Sequence, residues 1–235
     1  AETIRQVGDK DIARAAMLPS GIPMAKGSEP LTGNAMAIEA AREVGYPVIL
    51  KPVSGGGGKG MYTAHNEDEL RSVLQLTDIT KTKFYFEHYI ERSRHIEVQI
   101  VADNFGTVLH LGERECSLQR RNQKLLEESP SPALTQEMRQ QVGLLAIKAA
   151  KSVHYTNIGT VEFLLDLSNN EFYFMEINPR IQVEHGVTEA VTGIDLVRTQ
   201  IRLAAGEPLD FEQKDVTFTG HAIECRINAE DPDNG

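Results

Sequence analysis

Alternation of apolar and polar positions marks out the elements of this chain, most clearly in its second half. Thr160, Glu162 and Leu164 share one face of a strand over 160–166. Phe172, Phe174, Glu176 and Asn178 share a face of the next one, because successive strand side chains point to opposite sides. Ser168-Asn169-Asn170 between them has hairpin-turn chemistry. A turn centred on Asn169 predicts the register: Asp166 opposite Phe172, Leu164 opposite Phe174, and Glu162 opposite Glu176. Two carboxylates directly opposite repel. A divalent cation between them removes that penalty, and Asn178 adds an oxygen one step along. Such oxygens suit Mg²⁺ or Mn²⁺, which usually also take substrate phosphates. A solvated polar face carrying two glutamates is the alternative.

The same patterning runs through the rest of the chain. Asp9 can cap a helix over 10–17 that stops before Pro19 and Gly21. Asn34 caps a second helix through Val44, closed by Gly45. A short apolar strand over 47–51, a glycine loop over 54–60 and a strand from Met61 follow, then a helix announced by Asn66 and Glu69 as a capping box. A strand over 84–89 and a cleanly alternating one over 95–100 lead to a turn at Asp103-Asn104-Phe105-Gly106 and a returning strand over 108–115. His95, Glu97 and Gln99 share a face there, as in a sheet with one wet side. Arg120, Arg121 and Lys124 form a basic cluster that, with Gln119, could bind an anion. Thr135 caps a long helix to about 153, a further helix spans 194–205 and closes at Gly206, and a last strand over 221–228 places Glu224 and Arg226 on one face. Strands beside strands with flanking helices predict an α+β fold. The expected division is a leading segment over 1–24, a small strand-helix-strand lobe over 25–88, and a larger lobe over 89–235.

The loop Gly55-Gly-Gly57-Gly58-Lys59-Gly60 matches G-x-G-x-x-G in letter only, since no helix opens after it, and Met61 stands where a Walker loop needs Ser or Thr. A glycine flap between two strands can still lay backbone N–H groups over phosphates, with Lys51 aimed at the same charge. A surface hairpin with a solvated lysine is the alternative.

Composition narrows the class. The 235 residues are 40% hydrophobic and 25% charged, which suits a globular protein. A net charge of −10 argues against nucleic acid as partner. Cys116 and Cys225 give no disulfide framework, pointing to a reducing cytoplasm. No apolar run is long enough to cross a bilayer. The chain begins at Ala1 and ends at Gly235 in a polar loop, so both ends are expected to be cuts.

Taken together the motifs resemble the biotin carboxylase family of the ATP-grasp superfamily. The resemblance is carried by Lys51 with the glycine loop, Arg94-His-Ile-Glu-Val-Gln-Ile, Gly112-Glu-Arg-Glu-Cys-Ser-Leu-Gln-Arg-Arg-Asn-Gln-Lys124, Thr160-Val-Glu-Phe, Met175-Glu-Ile-Asn-Pro-Arg-Ile-Gln-Val-Glu-His185, and Gly220-His-Ala-Ile-Glu-Cys-Arg. It implies an ATP-grasp fold and a reaction in which ATP and bicarbonate give carboxyphosphate, and the carboxyl group passes to biotin on a carrier protein. By the same resemblance Lys10, Lys51 and His95 are nucleotide ligands, joined by Met61, Gln119 and Asn122. Gly57 and Gly58 form the flap, and Glu87, His88, Tyr89 and Ile90 the adenine hinge. Glu162, Glu176 and Asn178 match the Mg²⁺ or Mn²⁺ ligands. Lys124, Arg180, Val183 and Arg226 match the bicarbonate and biotin site, and Glu184 the base that deprotonates bicarbonate. Asn122 stands where the family commonly has a histidine. The implied partners are a biotin carboxyl carrier protein and a carboxyltransferase, with a homodimer at full length. Acetyl-CoA carboxylase is the simplest setting; a pyruvate, propionyl-CoA or urea carboxylase, or an ATP-binding module without chemistry, are the alternatives. The segment alone is expected to bind nucleotide but to catalyse poorly.

Overall fold

The computed structural model describes residues 10–31, 33–53, 60–77, 82–231 and 233. Gly57, Gly58 and the cap at Asp9 lie outside the described residues, as does the side chain of Lys10, which opens helix α1 (Lys10–Met17).

Two antiparallel sheets organise the chain. The smaller has three strands in the order β2-β1-β3, with β1 at Val48–Pro52, β2 at Tyr62–Ala64 and β3 at Phe84–His88. Helices α2 (Asn34–Val44) and α3 (Glu67–Leu76) cover one face, where Ala41, Val48, Leu50, Leu70 and Phe86 form the core. The asparagine expected to cap α2 lies inside its first turn: Gly33 holds the N-cap position and no side chain caps it. Asn66 caps α3 as expected, accepting from the Glu69 N–H at 2.9 Å. Glu69 answers by accepting from the His65 N–H at 2.8 Å, one residue before the cap.

The larger sheet has six strands in the order β8-β7-β4-β5-β6-β9. These are β4 (Ser93–Ala102), β5 (Val108–Arg120), β6 (Gln123–Ser129), β7 (Asn157–Asp166), β8 (Glu171–Asn178) and β9 (Ala222–Cys225). The long helix α4 (Gln136–Ser152), capped by Thr135, covers one face over Ile96, Val98, Ile100, Val161 and Phe163. A second cluster, with Val101, Leu109, Leu111 and Ile158, is closed by Leu196 and Leu203 of α6 (Leu196–Ala204).

Several elements depart from the pattern-based expectation. The stretch with the basic cluster is a hairpin: β5 runs on to Arg120, Arg121 and Asn122 turn with φ of 53° and 62°, and β6 returns. Two consecutive left-handed residues between paired strands make a type I′ turn, which asparagine tolerates well. The turn also scatters the cluster, since Arg120 pairs outward with Glu230 while Lys124 points inward. A short helix, α5 (His185–Thr192), is too brief to show a helical period in the sequence. The last strand is shorter than the alternation suggests.

Candidate active site

A cleft of about 620 Å³ opens between the two sheets, and every predicted site residue whose side chain is described lines it. The carboxylate pair comes from β7 and β8, where Glu162 lies opposite Glu176 and Thr160 opposite Asn178. The predicted register fails nearer the turn: Asp166 pairs with Glu171, Leu164 with Tyr173 and Phe163 with Phe174. The turn is one residue tighter than assumed, and a β-bulge at Met175 restores the count. A bulge also flips the strand's alternation. Phe172 and Phe174 therefore enter the core beneath α4, whereas Glu176 and Asn178 turn to the cleft, so the four do not share one face.

Cross-strand pairing continues the row. Glu162 lies opposite Glu97 of β4, and Glu97 opposite Arg114 of β5. The wet face expected at His95, Glu97 and Gln99 is closed: Glu97, Gln99 and Arg114 are all 0% exposed. Lys124 reaches over from β6 and donates to Glu97, to Glu162 Oε1 at 3.0 Å and to Glu184 Oε1 at 2.8 Å. Burial opposes its charge, but the carboxylates of Glu97 and Glu162 outweigh it and hold the ammonium protonated. His95 Nε2 lies 3.2 Å from Glu162 Oε2. Burial again works against the charge, yet Glu162, with Glu97 beyond, raises the imidazole pKa above its ordinary value. Gln119 donates to the Cys116 carbonyl at 2.7 Å and lies 3.1 Å from His95 Nδ1.

The residues present fit a hard divalent cation. Asn178 Nδ2 donates to Glu162 Oε1 at 2.9 Å and to Glu176 Oε1 at 3.4 Å, so amide hydrogens bridge the carboxylates where a cation would. Rotation of that amide would bring its oxygen to the same spot.

Glu184 occupies the N-cap position of α5 and is buried. Lys124 holds Oε1, and Arg226 donates to Oε2 at 2.7 Å. Burial raises its pKa, but Lys124 outweighs that and the carboxyl stays below its usual range. Arg226 reaches in from just past β9, its N–H bonded to the Leu125 carbonyl at 2.9 Å. It does not pair within its strand with Glu224. Arg180 and Val183 are exposed at the rim, with Arg180 donating to Asn178 Oδ1 at 3.4 Å.

On the small-sheet side Lys51 pairs with Glu87, which also takes Arg14 of α1. The His88 and Tyr89 N–H groups are bonded to the carbonyls of Lys26 and Pro47, both at 2.8 Å. Met61, Ile90 and Asn122 complete the lining.

Arg114 falls within one of the family-like motifs, but sequence reasoning gives it no role. Its guanidinium donates to Glu97 at 2.5 Å, Gln99 at 2.7 Å, Thr188 at 3.0 Å, Thr160 at 3.1 Å and Gln182 at 3.0 Å. It thus ties the segment around Glu184 to the sheet. The one available signal is an arginine in an alternating strand facing a second polar strand.

Two antiparallel sheets flanking a cleft lined by lysines, carboxylates and an amide define a domain of the ATP-grasp type, as in the solved structures this chain resembles. Residues 9–212 match the family described as the carbamoyl-phosphate synthase L chain, ATP binding domain, and the chain belongs to that family. It is 53% identical to biotin carboxylase 1 of Bacillus subtilis over 99% of its own length and 53% of that protein's. It is 51% identical to a pyruvate carboxylase subunit from Methanothermobacter thermautotrophicus, over 97% of its own length and 48% of that protein's. Among solved structures, the biotin carboxylase domain dimer of Hydrogenobacter thermophilus 2-oxoglutarate carboxylase, in complex with MgADP, ADP and bicarbonate, superposes with a TM-score of 0.89 at 46% identity, covering 98% of this chain and 52% of that one. The resemblance drawn from the motifs is borne out. The chain spans about half the length of the curated relatives it matches. Among the described residues, no helix is long and apolar enough to cross a membrane.

Proposed function

We propose that this chain is the ATP-binding part of a biotin carboxylase, which uses ATP, bicarbonate and Mg²⁺ or Mn²⁺ to carboxylate biotin on a carrier protein. One observation carries the reading: the buried Glu184 carboxylate is held between Lys124 and Arg226, in the same cleft as the Glu162/Glu176 pair. A module that only bound nucleotide would have no use for that arrangement.

The roles follow from chemistry. Bicarbonate is a poor nucleophile until it loses a proton, and Glu184 is placed to take it. Lys124 and Arg226 already satisfy its oxygens, so an incoming bicarbonate exchanges with Glu184 for those two cations. Its freed oxygen attacks the terminal phosphorus of ATP, the bond to ADP breaks, and carboxyphosphate forms. Lys51 and His95 face the phosphate charge that spreads as this happens. Glu162, Glu176 and Asn178 would hold the metal ion, which supplies charge neutralisation at the phosphates. When carboxyphosphate gives up its carboxyl group, the released phosphate can take the ureido proton of biotin; Arg226 and Arg180 stabilise the resulting nitrogen anion, and arginine suits this because it never loses its charge.

The final acceptor we assign is acetyl-CoA, through a carboxyltransferase partner, in the cytoplasm and as a homodimer. The relatives named for pyruvate and 2-oxoglutarate make those two the acceptors to assay beside it. The full-length protein should cleave ATP in a bicarbonate- and biotin-dependent manner. Glu184→Gln should abolish that cleavage while Mg·ATP affinity stays within about twofold, since the residue acts only when charge moves. An equal fall in affinity and rate would remove Glu184 as the base.

A further inference from the structure

Glu127 sits in β6 with a fully buried side chain, directly opposite Glu224 of β9. Like charges facing across a strand pair destabilise it. Arg226 Nε lies 2.8 Å from Glu127 Oε1, but out of line for a hydrogen bond. Neither oxygen of Glu127 receives a donor, and Arg226 Nε finds no acceptor. A buried carboxylate in that state is costly and calls for a reason. Burial and the carboxylates of Glu184, Glu224 and Glu97 push its pKa up to about 6, against the pull of Arg226.

The reason lies on the other side of the guanidinium. Arg226 spends a terminal nitrogen on Glu184 Oε2 at 2.7 Å, and its backbone lies just beyond the end of β9. Its Nε edge faces Glu127 on the sheet side. We propose that Glu127 is a positioning residue for Arg226: it holds the Nε edge from the sheet side, so that the terminal nitrogens face the cleft beside Glu184. Without it the guanidinium keeps its bond to Glu184 but loses its anchor on the sheet side, and the angle at which its nitrogens meet the anionic substrates drifts. The inference rests on the proposed carboxylation reading, in which Arg226 meets the anionic substrates.

Two arms in the full-length protein test it. In the first, Glu127→Leu lowers kcat for biotin- and bicarbonate-dependent ATP cleavage by about 10- to 100-fold, as expected for a displaced group. The KM for Mg·ATP stays within about twofold, Glu127→Gln falls in between, and Glu127→Leu/Arg226→Met is no slower than Arg226→Met alone, because the two act as one unit. Multiplying losses in the double variant, or an unchanged rate in Glu127→Leu, would overturn the proposal. The second arm needs no turnover. A carboxyl whose folded pKa is raised adds stability below its unfolded value, about 4.3, and loses it as pH rises through the folded value. Glu127→Gln should therefore gain Tm over wild type at about pH 8 relative to about pH 4. That gain should grow in the Arg226→Met background, where the neutralising cation is gone. A gain unaffected by Arg226→Met would show that the two side chains do not interact and would sink the idea. If wild type shows no biotin-dependent turnover, the functional reading falls, while the Tm arm still decides whether Glu127 holds Arg226.

Discussion

Arg114 shows how much one buried side chain can organise. A charge enters a protein interior only when pairing and hydrogen bonds repay its desolvation, and Arg114 has one carboxylate and a ring of neutral acceptors from β4, β7, α5 and the loop before it. Replacement by methionine removes the donor from all of them and leaves Glu97 to Lys124, with His95 Nε2 4.0 Å away. We expect Arg114→Met to cost about 3–5 kcal/mol, read from urea unfolding. Arg114→Lys should recover only part of this, because an ammonium cannot reproduce the planar fork. Full recovery by lysine would show that charge, not geometry, is what the site requires. Neighbouring Cys116 is buried too, and burial pushes its thiol well above the ordinary value, so it is not a reactive thiol.

Among the elements, the β4–β5 turn is held by its first residue. Asp103 accepts from the N–H groups of Phe105 and Thr107, both at 2.9 Å, and from Leu209 at 3.3 Å, tying the turn to the segment after α6. Burial raises the Asp103 pKa, but those backbone donors outweigh it and hold the carboxyl below its ordinary value. A depressed folded pKa gives stability that is present above the unfolded value and is lost as pH falls through the folded one. Asp103→Asn should thus cost about 1–3 kcal/mol near neutrality, shrinking below about pH 3.9. Chemical unfolding at two pH values checks this; a constant gap would mean that the charge contributes nothing. The strand pairs themselves were partly legible. Alternation located β4, β7 and β8, and Asn66 and Thr135 announced their helices. It could not show the bulge at Met175, because an extra residue in one strand leaves no local mark when both neighbours are polar or apolar in turn.

At the scale of the whole molecule, the cleft depends on two sheets meeting. Lys51 and Arg14 converge on Glu87 from the small sheet and α1, while the carboxylate row comes from the large sheet. Glu162 and Glu176 face each other across the Asn178 amide, so a bound cation should gain from their repulsion. Glu176→Gln should weaken Mg·ATP binding roughly tenfold or more, on the scale of lost metal contacts, with metal-free nucleotide binding nearly kept. Calorimetric titration of the two ligands tests this, and equal losses would remove Glu176 from the metal site.

The sequence by itself determined the α+β class, most strands and helices, and the family. Those properties follow from short-range periodicity, caps and motif spacing, which are local. The sequence also placed Glu162 opposite Glu176, but a tighter turn and a compensating bulge, set by the tertiary structure, are what bring them opposite. The tertiary structure decided that Glu97 and Gln99 lie in a closed interior, that Lys124 turns inward while Arg120 turns outward, that Arg114 ties α5 to the sheet, and that Glu127 backs Arg226. Each of these depends on which strands become neighbours and on where a bulge or a two-residue turn resets the facing of side chains. Burial, and with it the raised pKa of His95 and the lowered pKa of Glu184, is set by residues distant in sequence, so no window of the chain contains it.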